Sequence, residues 1–319
     1  MFPVTRPRRL RISQEMRDMV SESTIQPNKL IMPVFVDENA NSPKPIPSMP
    51  GIFRYPISGL ADYLNSLESS GVRSILLFGI PSSKDEVGTS AYDENGVVQK
   101  AIRIAKESST LITMADLCMC EYTSHGHCGI LKGDVVDNDA TIDVYAKIAL
   151  TYAEAGADIV APSGMMDGQV GRIRTALDNG GFKDISILAY SAKYASGLYG
   201  PFRDAADSKP GFGDRKSYQM DPRNIREAMR EITLDINEGA DMIMVKPALF
   251  YLDVLREARQ RFDLPIVAYS VSGEYTMIKN AVSSGNLGES VINEAIGSIF
   301  RAGADMVITY FAQYLAEKL

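Results

Sequence analysis

Eight short apolar runs, separated by segments with helical periodicity, constrain the fold of this chain more than any other feature. The runs are rich in β-branched residues, and each is continuous rather than alternating, which is typical of strands buried on both faces. They cover residues 30–36, 74–80, 110–117, 158–163, 185–191, 241–247, 265–271 and 305–311. Such strands alternating with helices predict an α/β fold, a (β/α)8 TIM barrel.

One junction between a helical segment and an apolar run recurs. Gly156, Gly239 and Gly303 are each followed by Ala-Asp and then by a predicted strand. Glycine is favoured just past a helix C-terminus, so each junction marks the passage from a helix to the next strand. The main alternative is an open doubly wound sheet. It is less favoured because the chain contains no Gly-rich dinucleotide motif after the first run and no P-loop motif.

The chain divides into one large domain and two smaller segments. Residues 30–319 are predicted to form the barrel as a single catalytic domain, a common size for this fold. Residues 1–29 are polar, with a basic run at 6–11, and predict either an extended N-terminal arm on a neighbouring subunit or a frayed terminus. The segment at about 202–223 is long, polar and rich in Gly and Pro, which predicts an active-site lid.

Charge and composition argue against several functional classes. The net charge of -7 argues against a protein whose main task is binding nucleic acid. No run approaches the ~20 apolar residues of a membrane helix, and the N-terminus lacks a signal-peptide pattern, so a cytoplasmic protein is expected. The only histidines are His125 and His127, both inside the cysteine cluster. A Ser-His-Asp hydrolase is therefore disfavoured.

Polar residues follow the predicted strands at the end where barrel enzymes carry their active sites. Lys193 and Lys246 stand at the ends of neighbouring strands. A lysine there loses hydration and its pKa falls, so that its neutral amine can form a Schiff base with a ketone. Alternatively, each lysine extends to solvent or pairs with a carboxylate. Asp116 lies at the end of the third run. Its carboxylate is predicted to be either a general acid or base or the partner of a lysine ammonium.

The cysteines form a single cluster. Cys118, Cys120 and Cys128 are the only cysteines, and they lie within eleven residues of one another. Thiolates at this spacing suit Zn²⁺, with either a histidine or a water molecule as fourth ligand. The alternatives are three unrelated buried thiols, which such dense clustering disfavours, and a redox switch between Cys118 and Cys128.

Several residues are suited to binding carboxylates. Arg203 and Arg215 belong to a cationic set in the lid, and arginine recognises carboxylates through paired hydrogen bonds. Ser272 and Tyr310 follow the last two runs and offer hydroxyl donors, although either could be an ordinary rim residue. Together with the lysines, these residues predict a small anionic ketone as substrate and an aldol-type or imine-type reaction.

The motifs that contain these residues resemble the porphobilinogen synthase, or 5-aminolaevulinate dehydratase, family. The matching segments are ADLCMCEYTSHGHCG (115–129), YSAKYAS (190–196), YGPFRDAA (199–206), MVKPA (244–248), YSVSGEY (269–275) and ITYF (308–311). The resemblance runs from about residue 3 to the C-terminus. It implies a lyase of tetrapyrrole (haem) biosynthesis that condenses two molecules of 5-aminolaevulinate to porphobilinogen with loss of two waters.

The resemblance also implies roles for individual residues. Lys246 would bind the substrate that becomes the propionate side, and Lys193 the one that becomes the acetate side, each as a Schiff base. Asp116 would assist proton transfer. The catalytic Zn²⁺ would be bound by Cys118, Cys120 and Cys128.

Carboxylate binding, a second metal and the assembly follow from the same resemblance. Arg203, Arg215 and Gln219 would bind the carboxylate of the second substrate. Ser272 and Tyr310 would bind that of the first. Glu231 matches the position of an allosteric Mg²⁺ ligand, with a plain surface residue as the alternative. Relatives of this kind are typically homo-octamers whose N-terminal arms wrap their neighbours.

Two other functions are compatible with parts of this pattern. A Schiff-base class I aldolase on a barrel would need one lysine and no zinc, so it leaves the cysteine cluster and the second lysine unexplained. A non-enzymatic zinc or redox sensor would explain the cysteines but neither lysine.

Overall fold

The computed structural model describes residues 3–319 and shows a closed barrel of parallel strands. The barrel strands are β1 (Leu30–Asp37), β2 (Ser74–Ile80), β3 (Ile112–Leu117), β4 (Ile159–Pro162), β5 (Ser186–Lys193), β6 (Met242–Lys246), β7 (Ile266–Ser270) and β8 (Met306–Thr309). Each strand pairs in parallel with the next, and β8 pairs with β1 to close the ring. The predicted (β/α)8 fold is confirmed, and the open sheet is wrong.

The described chain also forms eleven α-helices, most of which pack around the barrel. They are α1 (Gln14–Met19), α2 (Leu60–Ser69), α3 (Val97–Ser108), α4 (Asn138–Glu154), α5 (Gln169–Asn179), α6 (Gly200–Ala205), α7 (Arg226–Asn237), α8 (Leu252–Arg261), α9 (Ser272–Ser283), α10 (Ser290–Ala302) and α11 (Ala312–Ala316). Two short antiparallel strand pairs lie in the loops. They join Lys44–Pro45 with Phe53–Tyr55 and Leu131–Lys132 with Val135–Val136.

Burial explains why the apolar runs are continuous. Every residue of β1 and of β2 is buried, because one face of each strand fills the barrel and the other packs against the helices. All eight predicted runs coincide with a strand. The informative difference lies in β5, which continues two residues past the predicted end at 191 and takes Lys193 into the sheet.

The recurrent Gly-Ala-Asp junction closes the amino-terminal end of the barrel. Its glycines adopt positive φ angles of +99° to +128°, as a residue that ends a helix in this way must. The aspartates have a role that the pattern alone did not predict. Asp158, Asp241 and Asp305 each accept a hydrogen bond from the backbone N–H at the start of the preceding barrel strand, at 2.8 Å. Each junction therefore ties two adjacent strands together.

Residues 3–29 lie outside the barrel core. The segment contains α1 and short 3-10 turns, and none of its described side chains is buried. Val4 and Ile12 are each 76% exposed although both are apolar. An arm that contacts a second copy of the chain stays a prediction, and residues 1 and 2 of that segment lie outside the described residues.

The predicted lid differs from a simple loop at its start. Residues 200–205 form α6, and irregular backbone follows as far as α7. Within the described part of the chain, no helix combines the length and the apolar character needed to cross a lipid bilayer.

Candidate active site

A cavity lies at the carboxyl ends of the barrel strands, beneath the lid. The cavity is small, with a volume of about 20 Å³. Its walls are formed by Phe78, Asp116, Cys120, Glu121, Ser163, Lys193, Tyr199, Phe202, Arg203, Arg215 and Lys246. The cavity therefore brings together both predicted lysines, the predicted acid, one cysteine and both lid arginines.

The two lysines are direct neighbours on β5 and β6. Lys193 pairs in register with Lys246, and each is only 5% exposed, so neither extends to solvent. The Nζ of Lys193 donates a hydrogen bond to the carbonyl of Ser163 at the end of β4. The Nζ of Lys246 lies 4.1 Å from the ring centroid of Tyr269. Three more aromatic rings lie within 5.5 Å of it, those of Tyr190, Tyr199 and Phe202.

Burial and like charge both act on the amine of Lys246. Burial disfavours the ammonium form, and the neighbouring Lys193 repels it, which together lower the pKa of Lys246 to about 7. Asp116 opposes this shift only in part. Roughly half of such an amine is neutral at neutral pH, which is the form that attacks a carbonyl carbon.

Asp116 is buried beside the lysines, and only one of its two carboxylate oxygens has a hydrogen-bond partner. Its Oδ2 accepts a hydrogen bond from the hydroxyl of Ser163 at 3.0 Å, whereas its Oδ1 has no partner in the described structure. Burial raises the pKa of Asp116, against the opposing charges of Lys246 and Lys193. An unpartnered buried carboxylate oxygen is costly and is typical of a functional site.

The cysteines form a compact donor set. The sulfurs of Cys118, Cys120 and Cys128 lie within 4.8 Å of one another, and those of Cys118 and Cys120 are 3.3 Å apart. All three are buried free thiols. Burial raises the pKa of Cys118, whereas hydrogen bonds from the other two thiols lower that of Cys128. Three soft donors at this separation fit one Zn²⁺ ion.

Neither histidine belongs to this donor set. His127 uses Nδ1 towards the hydroxyl of Tyr218 at 3.1 Å and Nε2 towards the carbonyl of Phe212 at 3.2 Å. His125 uses Nε2 towards the carbonyl of Glu86 and accepts the amide of His127 at Nδ1. Of the two open choices for a fourth ligand, the geometry therefore favours water or substrate over histidine.

The lid arginines, Arg215 buried and Arg203 half-buried, are cations with unpaired donors. Arg215 donates to the carbonyls of Gly126 and Ser208, at 2.8 Å and 2.6 Å, yet its Nε has no partner. The Nε of Arg203 is also without a partner, and burial, with Arg215 nearby, lowers the pKa of Arg203. Within residues 3–319 neither arginine pairs with a carboxylate, so together they suit an anionic ligand.

Three predicted binding residues do not line this cavity. Gln219 is buried with both amide atoms unpartnered, and it faces a neighbouring groove. Ser272 accepts the amide of Phe202 at 2.9 Å and so holds the base of the lid. Tyr310 is hydrogen-bonded to Tyr269 at 3.2 Å, behind the ring that lies next to Lys246.

Glu231 lies apart, on α7. It is half-buried in the same groove as Gln219, together with Asp167, Asp221 and Glu227. Burial, with the charges of Asp167 and Glu227, raises the pKa of Glu231.

Some residues of the site were not predicted from the sequence. Glu121 is buried against the thiol of Cys120 at 3.2 Å, and burial, with Asp116 nearby, raises its pKa to about 7. Glu274 accepts three backbone N–H groups, those of Ala248, Leu249 and Val271, and so fixes the loop that follows Lys246. A charged residue inside an otherwise apolar or small-residue motif was the available signal for both.

Comparison with known proteins decides the family. Residues 4–318 match the family described as delta-aminolevulinic acid dehydratase. The chain belongs to this family. Among curated relatives, the delta-aminolevulinic acid dehydratase of Archaeoglobus fulgidus is 56% identical over 319 residues, which cover 100% of this chain and 99% of the relative. That of Methanothermus sociabilis is 52% identical over 318 residues, with the same coverage.

A solved structure agrees with the sequence relatives. Delta-aminolevulinic acid dehydratase (porphobilinogen synthase) from Toxoplasma gondii ME49, crystallised with the reaction product porphobilinogen, superposes with a TM-score of 0.96. It is 44% identical, and the match covers 99% of this chain and 91% of that one. The predicted family and the predicted enzyme class, a lyase, are thus confirmed. The aldolase and the sensor lose their support, since neither accounts for a match along the whole chain.

Proposed function

We propose that this chain condenses two molecules of 5-aminolaevulinate to porphobilinogen, with release of two waters, through Schiff bases on Lys246 and Lys193. The observation that carries the proposal is the buried lysine pair, in one cavity with Cys120, Asp116 and two lid arginines. The product seen in the Toxoplasma gondii relative supports a small-molecule substrate of this kind. Incubating the zinc-loaded protein with 5-aminolaevulinate and measuring pyrrole colorimetrically tests it.

Lys246 binds the first substrate. Its neutral amine attacks the ketone carbon, and loss of water from the adduct leaves an imine whose nitrogen carries the substrate. The four aromatic rings around Nζ exclude water and tolerate the positive charge of the protonated imine. Ser272 and Tyr310 are proposed to bind the carboxylate of this substrate, which requires each hydroxyl to exchange its present partner for the ligand.

Lys193 binds the second substrate, and Asp116 moves protons between the two. The Nζ of Lys193 is oriented by the carbonyl of Ser163, and the hydroxyl of the same residue orients Asp116. The unpartnered Oδ1 of Asp116 is free to accept a proton from one intermediate and return it to another. Arg203, Arg215 and Gln219 are proposed to bind the second carboxylate with donors that lack partners now.

The family is metal-dependent in general, and the cysteine cluster could bind a metal ion. We assign Zn²⁺ to Cys118, Cys120 and Cys128, because thiolates are its preferred ligands and the three sulfurs converge. Bound there, zinc would act as a Lewis acid that orients the second substrate and activates one of its groups.

A second metal and the assembly stay predictions. The carboxylates around Glu231 supply the hard oxygen ligands that Mg²⁺ prefers, and a cation there would offset their mutual repulsion. The homo-octamer, the arm contacts of residues 1–29 and the cytoplasmic location rest on the family resemblance.

The proposed state of Lys246 predicts a pH dependence. With 4-oxopentanoate, the substrate without its amino group, the rate of borohydride-trapped adduct at Lys246 should rise about tenfold per pH unit and level off above about pH 7. The rate rises with pH because only the neutral amine reacts. Asp116→Asn should lower the midpoint, since Asp116 raises the pKa of Lys246. A midpoint near that of an exposed lysine, about 10.4, would contradict the assignment.

The lid arginines predict a binding defect. Arg215→Met should raise KM for 5-aminolaevulinate roughly 10- to 100-fold, because a charge-assisted hydrogen bond to a carboxylate is lost. Arg223→Met is the matched control, since that arginine is exposed and paired with Asp221. Equal KM values for the two variants would remove Arg215 from the binding site.

A further inference from the structure

The loop that carries the cysteines is hydrogen-bonded to the lid by consecutive residues. The amide of Gly211 donates to the carbonyl of His125 at 2.9 Å. The guanidinium of Arg215 donates to the carbonyl of the next residue, Gly126, at 2.8 Å. The two segments approach so closely that a Cβ on Gly126 would lie 2.4 Å from the carbonyl oxygen of Lys209. The lid and the cysteine loop thus form one packed unit.

His127 continues this contact and connects it to a cysteine. The carbonyl of Phe212 can only accept a hydrogen bond, and this determines which atoms of His127 and Tyr218 donate and which accept. Nε2 of His127 therefore carries the hydrogen, and Nδ1 of the neutral ring accepts from the hydroxyl of Tyr218. The oxygen of Tyr218 is then free to accept the amide of Cys128, a long contact of 3.5 Å. The lid residue Tyr218 thus contacts the backbone of Cys128, a proposed zinc ligand.

The opposite side of Cys128 is held by the barrel scaffold. Its carbonyl accepts the hydroxyl of Tyr145, a fully buried residue on α4. One turn earlier on α4, Thr141 accepts the amide of Ile130 at 3.0 Å. Cys128 therefore lies between buried residues of α4 on one side and the lid residue Tyr218 on the other.

We propose that His127 and Tyr218 are positioning residues through which closure of the lid and metal binding at the three cysteines stabilise each other. The proposal rests on the assignment of those cysteines as zinc ligands under the proposed function. In this proposal His127 neither binds the metal nor transfers a proton; it holds Tyr218 in position. Because coupling between two equilibria is reciprocal, zinc favours the closed lid by the same factor by which the closed lid tightens zinc.

Tryptic cleavage after Lys216 reports on the lid. Lys216 is exposed, whereas Arg215 is buried and Lys209 precedes a proline. In the native protein, removing zinc with a chelator should raise the cleavage rate roughly tenfold. In Tyr218→Phe, which keeps the ring and loses the hydroxyl, cleavage should be fast with or without saturating zinc. The Kd for zinc should also rise about tenfold.

A distant tyrosine provides the matched control. Tyr314→Phe removes a hydroxyl that bonds to Glu289 away from the cavity, and it should leave both the Kd for zinc and the zinc-dependent protection unchanged. If Tyr218→Phe fails to fold, His127→Asn replaces it with the same readouts.

Two results would overturn the coupling. One is a native lid that is cleaved at the same rate with and without zinc. The other is a Tyr218→Phe lid that saturating zinc protects as fully as the native lid, which is what a purely local role for Tyr218 would produce. Neither measurement needs 5-aminolaevulinate, so a failure of this coupling and a failure of the condensation reaction are told apart.

Discussion

Lys246→Met is expected to abolish pyrrole formation, with a loss of roughly four orders of magnitude or more. Methionine has a similar length but no amine, so the first Schiff base cannot form, and no other buried lysine occupies its place among the aromatic rings. The colorimetric pyrrole assay measures this loss. Lys100→Met is the matched control, because Lys100 pairs with Glu38 away from the cavity and its loss should leave turnover intact.

The same substitution should stabilise the fold. The pKa of Lys246 is about 7 in the folded chain and about 10.4 in the unfolded one. The unfolded state therefore binds more protons between these values, so burying the lysine costs the most below about pH 7 and nothing above the unfolded pKa. At pH 6 the variant should gain on the order of a few kcal/mol and several degrees in Tm. A variant that is both inactive and less stable would indicate a damaged fold instead.

Cys120→Ser is expected to weaken zinc binding strongly and to reduce pyrrole formation by at least about 100-fold. A serine hydroxyl replaces one of only three thiolates with a much poorer ligand for zinc. Formation of the 4-oxopentanoate imine at Lys246 should persist, since it requires the amine alone. The variant thus separates the first Schiff base from the later bond-forming steps.

The chain offers an internal control for this prediction. It has only three cysteines, so a thiol reagent counts the proposed ligands directly. Zinc should protect all three in the native protein, and a chelator should make all three reactive. Full pyrrole formation by zinc-free Cys120→Ser would contradict a catalytic role for the cluster.

The sequence was sufficient to predict the barrel because strands buried on both faces leave a continuous apolar signature. It was also sufficient to place the two lysines at strand ends, since β5 and β6 end at these residues. The cysteines were predicted as a cluster from their spacing along the chain. The apolar run ends at residue 191, two residues before the observed end of β5 at Lys193. Lys193 belongs to the strand because it pairs with Lys246 on β6, and a pattern within one segment does not reveal such pairing.

Contacts between distant segments could not be read in the same way. The sequence left open whether a histidine or water is the fourth zinc ligand. In the structure the ring of His127 is turned to the lid by Phe212 and Tyr218, about 90 residues further on. Ser272 and Tyr310 likewise have protein partners that no local pattern reveals. Periodicity predicts which face of an element is buried, whereas side-chain partners across the fold depend on packing.

The most direct test of the account is to reduce the native protein with borohydride in the presence of 5-aminolaevulinate and to map the modified lysines by peptide mass spectrometry. We expect an adduct at Lys246, with a second at Lys193 as the substrate concentration rises, and none at lysines outside the cavity such as Lys100. An active enzyme whose adduct maps to another lysine, or that forms pyrrole without any trapped adduct, would contradict it.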